Sequence, residues 1–244
     1  MADEEVVFQT STGPVRIITA ASLFDGHDAA INVMRRLIQS SGAEVIHLGH
    51  DQSAKAVVDC AVQEDAHGVA LTSYQGGHIE YFTYIRQLLD EAGCQHVRIF
   101  GGGGGTITPP EIKTLHESGI SKIYSPDDGR TMGLMGMIHH LMGIASDVDI
   151  LGKERLASLD GPVTPEDMAK VGLLLTMSEC ADDELFKSTL ETCRSSSNDV
   201  PVIGFTGTGG AGKSSLLDEL MLRILRDNPG KKICLLCVDP TRKR

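Results

Sequence analysis

Five short runs rich in apolar and β-branched residues, at 15–20, 43–48, 68–73, 97–100 and 122–124, alternate with stretches of helical periodicity. No other feature limits the fold as much. Strands that alternate with helices join in parallel through crossovers, and the crossover helices cover both faces of the sheet. The stretch holding Ala30, Val33, Met34, Leu37 and Ile38 puts an apolar stripe on one helix face. That holding Ile79, Phe82, Ile85, Leu88 and Leu89 does the same. This predicts an α/β fold over residues 1–145: a flavodoxin-like (Rossmann-like) five-stranded parallel sheet in the order 2-1-3-4-5. A helical linker is expected over 146–198, and an incomplete P-loop α/β segment over 199–244.

Ligands of such sheets bind outside the carboxyl ends of the strands, so chemistry is expected in the loops that follow them. After the first strand comes Asp25-Gly26-His27-Asp28-Ala29-Ala30, and after the third Ser73-Tyr74-Gln75-Gly76-Gly77-His78. After the fourth come five glycines at 101–105, Gly101, Gly102 and Gly103 among them, and after the fifth Tyr124-Ser125-Pro126-Asp127-Asp128-Gly129. A loop histidine ligates a metal through one ring nitrogen while a nearby carboxylate takes the other N–H and fixes the tautomer. Asp25 and His27 have that spacing. The same residues also read as a polar loop that caps the next helix. A run of five glycines packs no core and is entropically costly. It suits a place where a bulky ligand approaches the backbone closely, or else a flexible loop.

Near the other end, G-T-G-G-A-G-K-S at 207–214 lies between an apolar run at 200–205 and a helical pattern at 215–225. Strand, Gly-rich loop and helix are the context in which G-x-x-x-x-G-K-[ST] cradles phosphate. Gly207, Gly209, Gly210, Ala211 and Gly212 turn backbone N–H groups inward, and the helix N-terminus adds partial positive charge. Lys213 is placed to reach the β/γ-phosphates, Ser214 to ligate Mg²⁺, and Ser215 lies in the same first turn. The bland alternative is a Gly-rich turn with an exposed lysine. Pro229 and Gly230 read as a helix stop. The chain contains no N-K-x-D, so these residues alone do not specify guanine. Too few residues follow Ser214 for a whole nucleotide-binding domain, and the chain is expected to be the N-terminal part of a longer enzyme that does not hydrolyse GTP by itself.

In the linker, Thr164-Pro165-Glu166-Asp167 reads as a helix start, with Leu173, Leu174, Met177 and Cys180 as its buried stripe. A polar break at 195–199 follows. The linker is either a spacer or an element that relays nucleotide state to the sheet domain. A net charge of −11 argues against a nucleic-acid surface. No apolar run approaches a membrane span, and the acidic start, Met1-Ala2-Asp3-Glu4-Glu5, is not a secretory leader. The six cysteines form no disulfide framework, and Cys234 and Cys237 fall in a predicted strand at 232–238, where buried thiols are expected. A cytoplasmic location is expected.

Taken together, D-x-H at 25–27, Ser73 and the glycines at 101–105 resemble the cobalamin-binding domains of the mutase and methionine synthase type, over roughly residues 13–145. The sequence departs from that pattern twice: Ala30 stands at the last glycine of the first motif, and Gln75 at the leucine after the serine. The resemblance implies that His27 replaces the cofactor's own dimethylbenzimidazole as the lower cobalt ligand, and that Asp25 orients it. It further implies that Gly26, Ser73, Gln75, Gly101, Gly102, Gly103, Tyr124, Ser125 and Pro126 line the channel for the displaced nucleotide tail. Followed by a P-loop, the order resembles the fused acyl-CoA mutases: cobalamin domain, linker, GTPase chaperone domain, then an acyl-CoA-binding barrel. That implies adenosylcobalamin, GTP and Mg²⁺ as cofactors, interconversion of isobutyryl-CoA and n-butyryl-CoA, and a homodimer when full length. Asp239 resembles a Mg²⁺-positioning residue of that GTPase class. The rival readings are a corrinoid carrier or sensor without mutase chemistry, and a P-loop ATPase with a flavodoxin-like regulatory domain.

Overall fold

The computed structural model describes residues 9–10, 13–194 and 200–237. Contacts divide the chain into two compact units, Met1–Ser196 and Ser197–Arg244. In the first, the five apolar runs form β1 (Arg16–Ser22), β2 (Glu44–Gln52), β3 (Gly68–Thr72), β4 (Arg98–Gly102) and β5 (Lys122–Tyr124). All pair in parallel, in the order β2-β1-β3-β4-β5, which is the order the alternation predicts. One helix follows each strand: α1 (Asp28–Ser40), α2 (Ala54–Gln63), α3 (His78–Glu91), α4 (Pro109–Glu117) and α5 (Pro126–Ser146).

Every residue of β1 and β3 is buried, as expected of strands covered on both faces. Alternate side chains divide between two cores. Ile17, Ala70, Phe100 and Tyr124 pack with Ile38 of α1 and with Ile138, Leu141 and Met142 of α5. Ile18, Val69, Leu71 and Ile99 pack with Val57 of α2, Phe82, Ile85 and Leu89 of α3, and Leu115 of α4. Two details differ from the periodicity. Val33 of α1 points outward, and Ile31 is the buried residue of that turn. The α5 helix is broken at Gly133, whose φ of 68° lies in the left-handed region.

The segment read as a linker forms α6 (Lys153–Leu156), α7 (Met168–Cys180) and α8 (Asp183–Cys193). α7 starts later than Thr164 because Asp167 folds back first: its Oδ2 accepts the Thr164 N–H and hydroxyl, each at 2.9 Å. Leu173 and Met177 are buried, with Leu159 and Cys193; Leu174 is partly buried against them. The segment docks at the amino end of the sheet through a buried polar cluster. Arg16 Nη2 donates to Thr176 Oγ1 at 2.6 Å, and Thr176 donates to Asp65 Oδ2 at 2.7 Å. Arg155 pairs with Asp65 Oδ1, and Glu179 lies 3.6 Å from Arg16 Nη1.

The second unit holds α9 (Lys213–Asp227), which stops before Asn228 and Pro229 as predicted. The strands expected at 200–205 and 232–238 are not formed among the described residues. A strand exists by its ladder of backbone hydrogen bonds, and neither run has a partner strand here. Accordingly Val202 stands 93% exposed, and Cys234 and Cys237 are exposed free thiols rather than buried ones. Residues 195–199, 238 and Asp239 lie outside the described residues.

Candidate functional site

The loop after β1 is organised by one carboxylate. The Asp25 N–H closes a turn onto Ser22 O at 3.0 Å, which tucks the side chain under the loop, and the residue is only 1% exposed. Its Oδ1 accepts the His27 backbone N–H at 2.9 Å and His27 Nδ1 at 2.8 Å. Its Oδ2 accepts the Tyr74 N–H from the loop after β3 at 2.7 Å. Burial alone would raise the Asp25 pKa. The N–H groups of Tyr74 and His27 and the His27 ring outweigh it, and the carboxyl sits below its ordinary 3.8. An ionised carboxylate only accepts, so Nδ1 of His27 carries the proton and Nε2 is left with its lone pair. The imidazole is 73% exposed. A buried anion therefore aims a ligand nitrogen into solvent, the arrangement by which a carboxylate orients a metal-binding histidine.

Three of the four expected loops are tied together. Ser22 Oγ donates to Ser73 Oγ at 3.0 Å, both groups buried. The Gln75 amide donates to Leu23 O, so the residue that departs from the family pattern links the loops after β3 and β1. The Ser73 N–H reaches Gly102 O at 2.9 Å, and the Tyr74 ring lies 5.4 Å from that of His27. The loop after β5 bonds to α5 rather than to the other three loops. The Tyr124 hydroxyl bonds His140 Nδ1 at 3.0 Å. Ser125 caps α5 in a reciprocal pair with Asp128, with Pro126 as its first residue.

The glycines differ in what they do. A Cβ on Gly101 would lie 2.5 Å from the Phe82 ring, and one on Gly103 would lie 1.9 Å from Ser73 O. Those two are fixed by packing within the protein, a reason that neither reading from sequence, close ligand approach or a flexible loop, contains. A Cβ on Gly102 would meet nothing closer than Tyr124 O at 3.5 Å, and Gly26 and Gly105 face open space.

Sequence reasoning passed over Phe24 and Asp51, and placed His78 in an expected loop without giving it a role. Phe24 and Asp51 both have left-handed backbone, φ 62° and 57°, a conformation that costs of order 1–3 kcal/mol for a residue other than glycine. Phe24 N–H donates to Asp51 Oδ1 at 2.6 Å, and Asp51 N–H to Asp25 O at 3.3 Å. His78, 5% exposed, sits between Gln75 O at 3.2 Å and Glu111 Oε2 at 3.4 Å. A lone aromatic beside D-x-H, in a chain with 4% aromatic residues, is the one signal that would have drawn attention to Phe24.

In the second unit, Gly210 and Gly212 adopt left-handed φ of 76° and 81°, and α9 begins at Lys213 directly after that turn. Lys213 Nζ folds back to donate to Gly207 O at 2.6 Å and Thr208 O at 2.8 Å. Ala211, Ser214 and Ser215 are exposed, and Gly209 has open space about it. A turn with glycine-only conformations ahead of a 15-residue helix is the form that binds an anion at its N-terminus.

The family model of the B12 binding domain matches residues 15–123, and that of the methylmalonyl-CoA mutase-associated GTPase MeaB matches residues 171–244. The fused isobutyryl-CoA mutase of Geobacillus kaustophilus is 49% identical over 94% of this chain, which spans 22% of that protein's length. The 2-hydroxyisobutanoyl-CoA mutase small subunit of Aquincola tertiaricarbonis is 32% identical over 47% of this chain and 82% of its own length. A crystal structure of a cobalamin-binding protein from Desulfitobacterium hafniense superposes with a TM-score of 0.45 at 19% identity, covering 53% of this chain and 58% of that one. No helix among the described residues is long and apolar enough to cross a membrane.

Proposed function

The chain belongs to the B12-binding domain family, and from that premise we propose that its first unit binds adenosylcobalamin in the base-off/His-on mode. His27 Nε2 is the lower ligand of the cobalt, and Asp25 holds the ring in the tautomer that leaves that nitrogen free. The residues fit the group: a cobalt already held by a macrocycle needs one strong axial donor from the protein, and an exposed imidazole backed by a buried carboxylate supplies it. Gly26, Ser73, Gln75, Gly101, Gly102, Gly103, Tyr124, Ser125 and Pro126 line the path of the nucleotide tail. When bound, the cofactor supplies the radical chemistry of a carbon-skeleton rearrangement.

The chain is the cobalamin-binding part of a longer mutase that interconverts isobutyryl-CoA and n-butyryl-CoA in the cytoplasm as a homodimer, and the acyl-CoA is held by a barrel that this chain does not include. That reading is supported by relatives of 49% identity named fused isobutyryl-CoA mutase. The second unit opens a GTPase chaperone domain that gates cofactor loading. Gly207, Gly209, Gly210, Ala211, Gly212, Lys213, Ser214 and Ser215 take GTP, with Mg²⁺ on Ser214 and Asp239.

The observation that carries the proposal is the Asp25–His27 contact at 2.8 Å with the ring facing solvent. Titration of the chain with adenosylcobalamin, followed by absorbance, tests it. Wild type is expected to give the base-off/His-on spectrum, and His27→Ala to bind at least tenfold more weakly. Equal affinity and an unchanged spectrum for His27→Ala would remove the ligand assignment.

A further inference from the structure

Phe24 is the most exposed aromatic side chain among the described residues, at 80%, and its backbone is left-handed at φ 62°. Each property is unfavourable by itself: the ring stays in water, and a bulky side chain is a genuine outlier at positive φ. The protein nevertheless fixes this conformation. Phe24 N–H is held by Asp51 Oδ1 at 2.6 Å, and Asp51, itself left-handed at φ 57°, is tied by its N–H to Asp25 O at 3.3 Å. The next residue is the buried Asp25, and the Leu23 carbonyl on the other side is held by Gln75. Phe24 is thus an exposed ring on a backbone restrained on both sides, three residues before an exposed imidazole on the same loop. Strain of this kind persists where the surroundings over-determine it, and it collects at ligand sites.

We infer that Phe24 is a corrin-contacting residue: its ring packs against the macrocycle whose cobalt His27 ligates. The inference rests on the cobalamin reading above. A corrin is a broad, largely apolar plate, and Phe24 is the exposed apolar ring three residues from His27 on the same loop. The pinned backbone keeps the aromatic ring raised before the ligand arrives, so little rotameric and backbone freedom is lost on binding. Asp51 is then a positioning residue, acting through the Phe24 N–H.

The test compares wild type, Phe24→Gly, Phe24→Leu and His27→Ala, each titrated with adenosylcobalamin and with cobinamide, the corrin that lacks the nucleotide tail. Glycine adopts φ 62° freely, so Phe24→Gly is expected to raise the thermal midpoint of the apoprotein while it weakens binding of both corrinoids about tenfold. Phe24→Leu keeps apolar bulk without a ring and is expected to lose about threefold. The His-on spectrum persists in both variants, because His27 and Asp25 are untouched. Affinity of Phe24→Gly within twofold of wild type overturns the proposal. So does weakening confined to adenosylcobalamin, which would place the ring on the tail, and so does a lowered thermal midpoint, which would make the residue structural. His27→Ala separates the two readings: if it binds like wild type, the lower-ligand assignment has failed, whereas a loss there with no loss in Phe24→Gly condemns only the corrin contact.

Discussion

Replacing Asp25 by asparagine keeps the shape of the side chain and changes only its hydrogen-bonding capacity. The carboxylate accepts three donors: His27 N–H at 2.9 Å, His27 Nδ1 at 2.8 Å and Tyr74 N–H at 2.7 Å. Asparagine offers one oxygen and one NH₂. If the oxygen takes the place of Oδ1, the NH₂ confronts the Tyr74 N–H, and two donors meet at a buried position. If the amide turns over, Tyr74 is satisfied but the NH₂ faces His27. Nδ1 must then accept, the ring proton moves to Nε2, and the lone pair aimed at solvent disappears. Hydrogen bonds to a charged group are each worth about 1.5–3 kcal/mol, so losing one and opposing two donors costs about 2–4 kcal/mol. For a unit of this size that is a fall of roughly 4–16 °C in thermal midpoint. Corrinoid affinity is expected to fall about 10- to 100-fold, the usual effect of removing the partner of a metal-binding histidine. The sign with pH follows from a folded pKa below 3.8. The stabilisation is complete above 3.8 and is lost only as pH falls through the lower folded value. Through Asp25's own ionisation, the deficit of Asp25→Asn therefore persists at every pH above 3.8 and narrows only in stronger acid. Parallel thermal melts and adenosylcobalamin titrations measure both effects. A variant within 2 °C and twofold of wild type (roughly the resolution of such assays) would refute the claim that this carboxylate sets the ring.

Two further outcomes follow from the packing. Gly103→Ala is expected to destabilise by about 3 kcal/mol or more in urea unfolding, because its methyl would sit 1.9 Å from Ser73 O, whereas Gly105→Ala has open space and changes little; equal stabilities would mean that this loop does not rest on Ser73. Burial, and then neighbouring arginine charge, hold His67 and His96 down to about 4. The unfolded chain therefore binds protons first, and stability should decline as pH drops from about 6.5 towards about 4; a flat acid titration over that range would contradict their burial.

The sheet was legible because β1 and β3 are rich in apolar and β-branched residues with little charge, and such runs suit strands covered on both sides. The Asp25–His27 pair was legible because both partners lie in one loop and their spacing alone carries the contact. What stayed hidden depends on distant residues. Gly101 and Gly103 look alike in sequence, yet one is shaped by Phe82 and the other by Ser73. Gln75 departs from the motif, but its bond to Leu23 O joins two loops, and the conformation of Phe24 depends on Asp51 from a different part of the chain. The apolar run at 200–205 has a strand's composition, but composition cannot supply the neighbour that a ladder requires.

The cluster around Asp65 has a practical consequence for anyone moving this module into another protein. The sheet and its five helices are complete at the end of α5, which invites a cut there. Such a cut would also strip away Arg155 and Thr176, leaving an aspartate and Arg16 built for the interior newly wetted and short of companions. A portable version should extend through Cys193, where the last helix of the docked segment ends.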